Sequence, residues 1–375
     1  MKQIQMVDLV SQYEKIKSEV NEATQNVFQT AQFINGPEVK TFQSDLEKYL
    51  DVKHVIPCAN GTDALQIALM ALGLKPGDEV ITSDFTFAAT VEVIGLLQLT
   101  PIIVDVDMDT FNISLAEIEK AITPKTRAII PVHLFGHSCD MKPLLDLAKK
   151  HDIYLVEDTA QAIGAKYTFP DGAVKSVGTM GEIGTTSFFP SKNLGCYGDG
   201  GAIFTNDDEL AAIMRSIVNH GMGERYYYDR LGVNSRLDSV QAAVLRIKLG
   251  LLDTYVAARQ YAAAYYSNFF ADFDNVETPT IADYSTHVFH QYTLKIEGLD
   301  QYALQDFMKS KGIPAMIYYP MPLHTQKAYG AENFNHEDFP NTNALCKCVI
   351  SLPMHTELDD EQLAYICNAM KEFLN

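Results

Sequence analysis

The feature that most constrains the fold is an alternation of short apolar segments with amphipathic helical segments. A short apolar run followed by a helical periodicity, repeated several times, is typical of a mostly parallel sheet covered by helices on both faces. The predicted strands are residues 52–57, 79–82, 102–106, 128–132 and 153–156, and the predicted helices between them are residues 63–72, 87–97, 115–122 and 141–149. The sequence therefore predicts an α/β fold with a central, mostly parallel sheet.

The rest of the chain follows this alternation more loosely. Two helical patterns precede the first strand, and a composition change with Pro, Asp and Asn follows residue 270. The further predicted elements are helices at 13–28 and from Pro37, strands at 184–189 and 201–205, helices at 207–218 and 237–270, and a smaller strand–helix–strand–helix unit at 290–296, 302–311, 313–317 and 361–374. We predict a large domain at 1–250, with an N-terminal helical segment, and a smaller α/β domain at 251–375.

The charge balance excludes some classes of partner. The 375 residues contain 48 Asp and Glu against 29 Lys and Arg, a formal net charge of −19. A field of that sign repels phosphate backbones and anionic lipid, so we expect neither nucleic acid nor a membrane as a partner. The longest apolar run, residues 88–97, is shorter than the roughly 20 residues of a membrane span and contains Glu92. Residues 1–17 lack the apolar core of a signal peptide, so we expect a cytoplasmic protein.

The cysteines and histidines do not form a convincing metal site. Cys346 and Cys348 could be a metal or redox pair, but no second pair and no flanking histidine spacing accompany them. We expect reduced thiols. The ten histidines show no metal-ligand spacing either, and we predict no metal.

Two reactive side chains follow predicted strands. The strand at 153–156 leads into Glu157 and Asp158, and ligands of open α/β sheets bind at the carboxyl ends of the strands. Capping of a turn is the alternative role for such a carboxylate. Lys192 follows another strand and has Phe188, Phe189 and several glycines as neighbours. A lone lysine is usually a surface charge. Apolar surroundings would lower the pKa of this one, as an imine-forming lysine requires.

Two glycine-containing segments could hold a phosphate. Asn60, Gly61 and Thr62 lie between a strand and a helix, where free N–H groups favour an anion; a plain turn capped by Thr62 is the alternative. Residues 195–201 are rich in glycine but match neither the P-loop nor the dinucleotide spacing, which disfavours ATP and NAD. Phe87, just after a strand, is either a core residue or a stacking face for a flat ring.

Taken together, these residues match the needs of pyridoxal 5′-phosphate (PLP). The cofactor requires a lysine that forms an imine, a carboxylate that keeps its ring nitrogen protonated, a phosphate site and an aromatic neighbour. Each feature alone is weak, but their combination favours a PLP enzyme.

The segments that carry these residues resemble the DegT/DnrJ/EryC1/StrS sugar aminotransferases, within the fold type I PLP enzymes. The resemblance covers nearly the whole chain, in the segments 33–39, 60–65, 77–80, 86–90, 157–161, 187–192, 198–201, 234–243 and 319–324. It implies a large PLP-binding domain with a mostly parallel sheet and a smaller C-terminal α/β domain. It also implies that Lys192 carries the cofactor and moves a proton, that Asp158 pairs with the ring nitrogen, and that Gln161 lies beside the ring hydroxyl.

The resemblance implies roles for further residues. Phe87 would stack on the ring, and Gly61, Thr62 and Ser187 would hold the phosphate. Asn234 would reach that phosphate from the neighbouring subunit, so a homodimer with shared active sites is expected. Arg236 would contact an anionic part of the substrate. The residues expected on the sugar side are Phe33, Ser191, Tyr319 and His324.

The resemblance also implies a reaction. L-Glutamate would donate its amino group to a nucleotide-linked keto sugar, in the synthesis of bacterial surface polysaccharide or a related amino sugar. Some relatives have a histidine at the lysine position and are dehydratases, so Lys192 favours transamination. The segments at 60–65 and 190–205 favour a 3-keto sugar, such as UDP-2-acetamido-2-deoxy-3-oxo-glucuronate or a dTDP-3-keto-6-deoxyhexose. The alternatives are a 4-keto nucleotide sugar and, in another class, a non-catalytic regulatory protein on the same fold.

Overall fold

In the computed structural model, which describes residues 3–374, the alternating segments form a seven-stranded sheet. Seven further strands lie in three smaller sheets of the described residues. The strands are His54–Cys58 (β1), Glu79–Ser83 (β2), Thr100–Val104 (β3), Thr126–Ile130 (β4), Tyr154–Asp158 (β5), Lys166–Thr168 (β6), Val174–Ser176 (β7), Ile183–Ser187 (β8), Gly201–Thr205 (β9), Met222–Glu224 (β10), Tyr227–Tyr228 (β11), Val276–Glu277 (β12), Tyr292–Ile296 (β13) and Val349–Leu352 (β14). The helices are Leu9–Thr30 (α1), Pro37–Leu50 (α2), Gly61–Ala71 (α3), Ala89–Leu96 (α4), Leu115–Ala121 (α5), Met141–His151 (α6), Asp208–Ile217 (α7), Ser239–Leu249 (α8), Leu252–Phe270 (α9), Gln301–Ser310 (α10), Pro340–Cys348 (α11) and Asp360–Leu374 (α12).

The order of strands in this sheet is β1-β9-β8-β5-β4-β2-β3. The pairs β5–β8, β4–β5, β2–β4 and β2–β3 are parallel, whereas β9 is antiparallel to both of its neighbours. The β2, β4, β5 and β8 strands therefore end at the same edge of the sheet. The predicted fold class is confirmed.

Helices pack on both faces of the sheet because successive strand residues point to opposite sides. In β4, Ala128 and Ile130 belong to the apolar cluster that includes residues of α3, α4 and α7, while Ile129 belongs to the cluster that includes residues of α6. All three side chains are fully buried. The strands read as continuous apolar runs for this reason, as is typical of a sheet buried on both faces.

The C-terminal part of the chain forms a second, three-stranded antiparallel sheet in the order β12-β13-β14. It shares an apolar cluster with α9, α10 and α12. The sequence predicted a strand at 313–317, but this segment makes only an isolated bridge from Met316 to Ser351. The strand that completes the sheet is β14, which follows α11 without a turn signal and is buried at every position. The proposed division into residues 1–250 and 251–375 stays a prediction.

The single helix predicted at 237–270 is two helices, α8 and α9, with a break at Gly250 and Leu251. Their apolar partners differ: α8 packs against α1 and α2, whereas Tyr266 and Phe270 of α9 belong to the core of the three-stranded sheet. A straight helix could not serve both cores, and Gly250 is a weak helix former at the point where the direction changes.

Within residues 3–374, no helix is long and apolar enough to cross a membrane. In the same part of the chain, no group of three or more His, Cys, Asp or Glu side chains is arranged to hold a metal ion. All six cysteines are free thiols.

Candidate active site

A cavity of about 690 Å³ opens at the edge where the parallel strands end. Segments that follow β1, β2, β4, β5 and β8 form most of its wall. Carboxyl ends of parallel strands are the usual ligand site of an open α/β sheet. The sequence-predicted residues that line this cavity are Gly61, Thr62, Phe87, Asp158, Gln161, Ser187, Ser191, Lys192 and Tyr319.

Lys192 lies in the loop after β8, where its backbone N–H donates to the carbonyl of Phe189 at 2.8 Å. Burial of its ammonium group lowers the pKa of Lys192 to about 8, and the nearby Asp158 carboxylate opposes this shift. A lysine with this pKa has a substantial fraction of neutral amine near pH 8. It can therefore act as a nucleophile toward a carbonyl group.

Asp158 is the last residue of β5 and is 5% exposed. The backbone N–H of Ala160 donates to Oδ1 at 3.0 Å, and the hydroxyl of Thr90 donates to Oδ2 at 3.1 Å. Burial raises the pKa of Asp158, although these hydrogen bonds and the charge of Lys192 act in the opposite direction. A buried carboxylate of this kind is well suited to a positively charged partner in the cavity.

The adjacent carboxylate, Glu157, does not line the cavity. Its two oxygens accept hydrogen bonds from the backbone N–H groups of Gly178, Met180 and Gly181, and His133 Nε2 lies 3.1 Å from Oε2. Burial alone would raise the pKa of Glu157, but these contacts outweigh it and lower the pKa. Since neighbouring strand residues face opposite ways, Asp158 is the carboxylate available for chemistry and Glu157 is a structural anion.

The N-terminus of α3 forms an anion cradle beside Ser187. The side chain of Asn60 caps the helix by accepting from the N–H of Asp63 at 2.8 Å, so the cap is Asn60 and not Thr62. A Cβ atom on Gly61 would lie only 2.6 Å from the Cβ of Ser187. Gly61 thus lets the helix end approach β8 closely, and both residues line the cavity. Free N–H groups and the positive end of the helix dipole favour a phosphate at such a position.

Gln161 and Tyr319 form one wall of the cavity. The amide oxygen of Gln161 accepts from the backbone N–H of Phe135 at 2.9 Å, and its amide nitrogen donates to the hydroxyl of Tyr319 at 3.1 Å. On another part of the wall, the ring of Phe87 is 60% exposed although its neighbour Phe85 is buried. An exposed aromatic ring at a cavity can stack on a flat ligand.

Sequence reasoning missed several lining residues, notably His290, Gln291 and Tyr318. His290 is 5% exposed and its Nδ1 has no hydrogen-bond partner among the described residues. Burial and the charges of Lys192 and Arg259 keep the pKa of His290 well below its ordinary value, so the imidazole is neutral. No motif marks these positions. The backbone at His290 is held by Arg259, which donates to the carbonyls of Phe289 and His290.

Four residues that the resemblance assigned to the site lie outside this cavity: Phe33, Asn234, Arg236 and His324. Phe33 and Asn234 are exposed, and Arg236 donates to the side chain of Asn219 at 3.4 Å. The role expected for His324 on the sugar side stays a prediction. His324 is buried and turned toward Asp84, which accepts its hydrogen bonds at 2.7 Å.

The lining residues fit PLP. Lys192 would provide the amine, Asp158 the buried carboxylate for the ring nitrogen, the α3 end and Ser187 the phosphate site, and Phe87 the stacking face. The close approach at Gly61, which a Cβ would prevent, indicates that the cradle requires backbone access.

Comparison with known proteins gives the family. The sequence model of the DegT/DnrJ/EryC1/StrS aminotransferase family matches residues 14–371. The chain belongs to this family. The predicted aminotransferase class is thereby confirmed, as is the predicted cofactor, since aminotransferases of the family use PLP.

Individual relatives match over almost their whole length. The chain is 45% identical to a pleiotropic regulatory protein of Geobacillus stearothermophilus, over 99% of this chain and 98% of that protein. It is 43% identical to a UDP-2-acetamido-2-deoxy-3-oxo-D-glucuronate aminotransferase of Pseudomonas aeruginosa, over 98% and 99%. Its fold matches the structure of DesV from S. venezuelae in complex with a ketimine intermediate, with a TM-score of 0.95, 36% identity, and coverage of 100% and 99%.

Proposed function

We propose that this aminotransferase moves the amino group of L-glutamate, through PLP, to the ketone of a nucleotide-linked 3-keto sugar. The observation that carries the proposal is that Lys192 and Asp158 face one cavity together with the anion cradle at Gly61.

Different residues of the cavity bind different parts of the cofactor. The N–H groups at the start of α3 and the Ser187 hydroxyl hold the phosphate, and Phe87 covers the ring. Asp158 keeps a proton on the ring nitrogen, and Thr90 fixes the orientation of its carboxylate through the 3.1 Å hydrogen bond. When bound, PLP supplies an electron sink that stabilises negative charge at the carbon that carries the amino group.

Lys192 is the proton carrier. With its pKa lowered to about 8, the amine at Nζ is available as a base near neutral pH. In the first half-reaction it would take the proton from the amine-bearing carbon of glutamate, and in the second it would donate a proton to the sugar carbon that receives the amino group. Enzymes commonly tune lysine in this way, since a general base works best with a pKa near the operating pH.

The choice of acceptor rests on two arguments. The Pseudomonas aeruginosa relative is named for a 3-oxo UDP-linked sugar, and it matches 98% of this chain at 43% identity. The cavity also has polar side chains beyond the cofactor residues, the amide of Gln291 and the hydroxyl of Tyr318, which can bind sugar hydroxyl groups.

We further propose a homodimer in which each active site takes Asn234 from the partner chain. Asn234 is exposed and does not line the cavity of its own chain. It follows a hairpin with three exposed tyrosines, Tyr226, Tyr227 and Tyr228, and Leu231 nearby is 88% exposed. Such an apolar patch is typical of a surface covered by another protein chain.

The first test removes the amine. Lys192→Ala should abolish the visible absorbance of lysine-bound PLP and the release of 2-oxoglutarate from glutamate. Lys149→Ala, at an exposed lysine of α6, is the matched control and should keep both. Full turnover by Lys192→Ala would contradict the proposal. Failure of the wild-type protein to bind PLP would favour a regulatory role without catalysis.

The second test identifies the acceptor. We would incubate the enzyme with glutamate and a panel of UDP- and dTDP-linked sugars with ketones at C3 or C4, and measure 2-oxoglutarate. Turnover of the C3 ketones is expected. Turnover confined to the C4 ketones would replace the proposed acceptor by the 4-keto alternative and leave the aminotransferase assignment intact.

A further inference from the structure

A buried carboxylate–imidazole pair lies behind the cavity wall. Asp84 is 1% exposed and His324 is 2% exposed. The backbone N–H of His324 donates to Oδ1 of Asp84 at 2.7 Å, and Nδ1 of His324 lies 2.7 Å from Oδ2. One residue thus satisfies both oxygens of a buried carboxylate, 240 positions away in the sequence.

The outer side of His324 is also fixed. Its ring stacks on Phe339 with a centroid distance of 4.1 Å and an interplanar angle of 9°, and its Nε2 lies 2.9 Å from Nδ1 of His336. A carboxylate only accepts hydrogen bonds, so Nδ1 of His324 donates to Asp84, and Nε2 is engaged by His336. The orientation of the imidazole is therefore determined from both sides.

The pair joins two segments, each of which contacts a residue that is proposed to bind the cofactor ring. Asp84 begins the segment that leads through Phe87 into α4, where Thr90 donates to Asp158. His324 ends the segment that contains Tyr319, whose hydroxyl accepts from Gln161. Asp158 is the last residue of β5, and Gln161 lies in the turn that follows it. The Asp84–His324 contact links the same two segments at a second point, and neither of its residues lines the cavity.

We propose that Asp84 and His324 are positioning residues for the transamination reaction. They hold Thr90 against Asp158 and Tyr319 against Gln161, so that the two polar groups nearest the cofactor ring keep a fixed geometry. This inference rests on the proposed function. In this proposal His324 acts through the two segments that end at Thr90 and begin at Tyr319, and not by direct contact with the sugar.

Three variants test the proposal. His324→Ala removes the imidazole, and Asp84→Asn removes the charge with little change in volume. His324→Asn keeps a side-chain N–H close to the Nδ1 position. His151→Asn, at the exposed last residue of α6, is the control. For each we would measure kcat and KM with glutamate and with the keto sugar, the pH titration of the visible absorbance of bound PLP, and Tm.

We expect His324→Ala and Asp84→Asn to lower kcat by about 10- to 100-fold, the size of effect seen when reacting groups shift by about 1 Å, and to change the pH titration of the absorbance. His324→Asn should recover most of kcat and the original titration. Wild-type kcat and titration in Asp84→Asn and His324→Ala would overturn the inference. So would equal impairment of His324→Ala and His324→Asn, since loss of packing alone explains it. A wild-type protein that does not transaminate would instead overturn the proposed function.

Discussion

At Lys192 and Asp158, the surroundings shift two pKa values for the same physical reason. Burial disfavours a charge on either group, so it lowers the pKa of Lys192 and raises the pKa of Asp158. Their mutual attraction opposes both shifts but does not cancel them. The site therefore holds a lysine that is partly neutral near pH 8 and a carboxylate that gains from a cationic partner.

The lowered pKa of Lys192 gives a pH dependence. In the cofactor-free protein, the rate of covalent PLP uptake should rise about tenfold per pH unit below pH 8 and level off above it, because only the neutral amine reacts. Stopped-flow absorbance between pH 6.5 and 9.5 measures this rate. A rate that is still rising tenfold per unit at pH 9.5 would mean that Lys192 has the pKa of an exposed lysine.

The close approach at Gly61 predicts a selective loss of cofactor affinity. In Gly61→Ala the new Cβ would meet the Cβ of Ser187 at 2.6 Å and push α3 away from β8. We expect the Kd for PLP to rise at least about tenfold, or 1.4 kcal/mol, in a fluorescence titration.

Gly95→Ala provides the matched control for that change. Gly95 lies in α4, and an added Cβ would contact nothing within 4 Å. We expect it to increase the free energy of unfolding by about 0.5–1 kcal/mol without changing the Kd for PLP. Equal PLP affinity in both alanine variants would contradict the role of Gly61.

Among the helices, α8 contributes a buried lysine to the loop that carries Lys192. Lys248 is 1% exposed, donates to the carbonyl of Gly195 at 2.7 Å and lies over the ring of Tyr197 at 4.9 Å. Burial lowers the pKa of Lys248 to about 8, and the charge of Arg259 acts in the same direction. The helix thus fixes the glycine-rich loop, but at the cost of a buried charge below pH 8.

The sign of the resulting pH effect follows from proton binding. Between pH 8 and about 10.4, the unfolded chain holds a proton on Lys248 that the folded chain has lost, so stability rises with pH in this window. Relative to Lys248→Met, the wild-type free energy of unfolding should increase from pH 8 to 10 by up to about 1.4 kcal/mol per unit and stay constant from pH 6.5 to 7.5. Urea unfolding measures it. Relative to Lys149→Met, which changes an exposed lysine, the wild-type free energy of unfolding should show no such increase. An equal increase relative to both variants would refute the prediction.

Prediction of the elements succeeded where periodicity and tertiary environment agree. The first five strands of the large sheet, β1 to β5, are short apolar runs between helices, and each lies within a few residues of its prediction. Prediction failed at residues 313–317 and at β14, because a short apolar run has the same composition in a strand and in a buried loop. It also failed at Gly250, where two helices with different packing partners are contiguous in sequence.

For the whole molecule, the net charge of −19 has to be reconciled with an anionic cofactor and a proposed anionic substrate. The cradle at α3 uses backbone N–H groups, which attract a phosphate without any side-chain charge. Arg236 lies outside the cavity of its own chain, as does Asn234. In the proposed dimer, both residues would be supplied by the partner.

Mixing two inactive variants tests whether the sites are shared. Lys192→Ala and Asn234→Ala should each have low activity as homodimers. When they are mixed, unfolded and refolded together, a hybrid dimer would contain one site with both native residues, so activity should return to about a quarter of the wild-type value for random pairing. The separately refolded variants, combined afterwards, are the control. Activity no greater than that control would contradict shared sites.

The sequence by itself determined the fold class, the strand ends that carry Lys192 and the Glu157–Asp158 pair, and the proposed phosphate cradle, because each depends on local chemistry at the end of a strand or the start of a helix. The tertiary structure decided which of two adjacent carboxylates faces the cavity, since that depends on the pleat of β5 and the partners of Glu157. It also placed His290 in the wall and turned His324 toward Asp84. These contacts join residues far apart in the chain, and no local pattern encodes them.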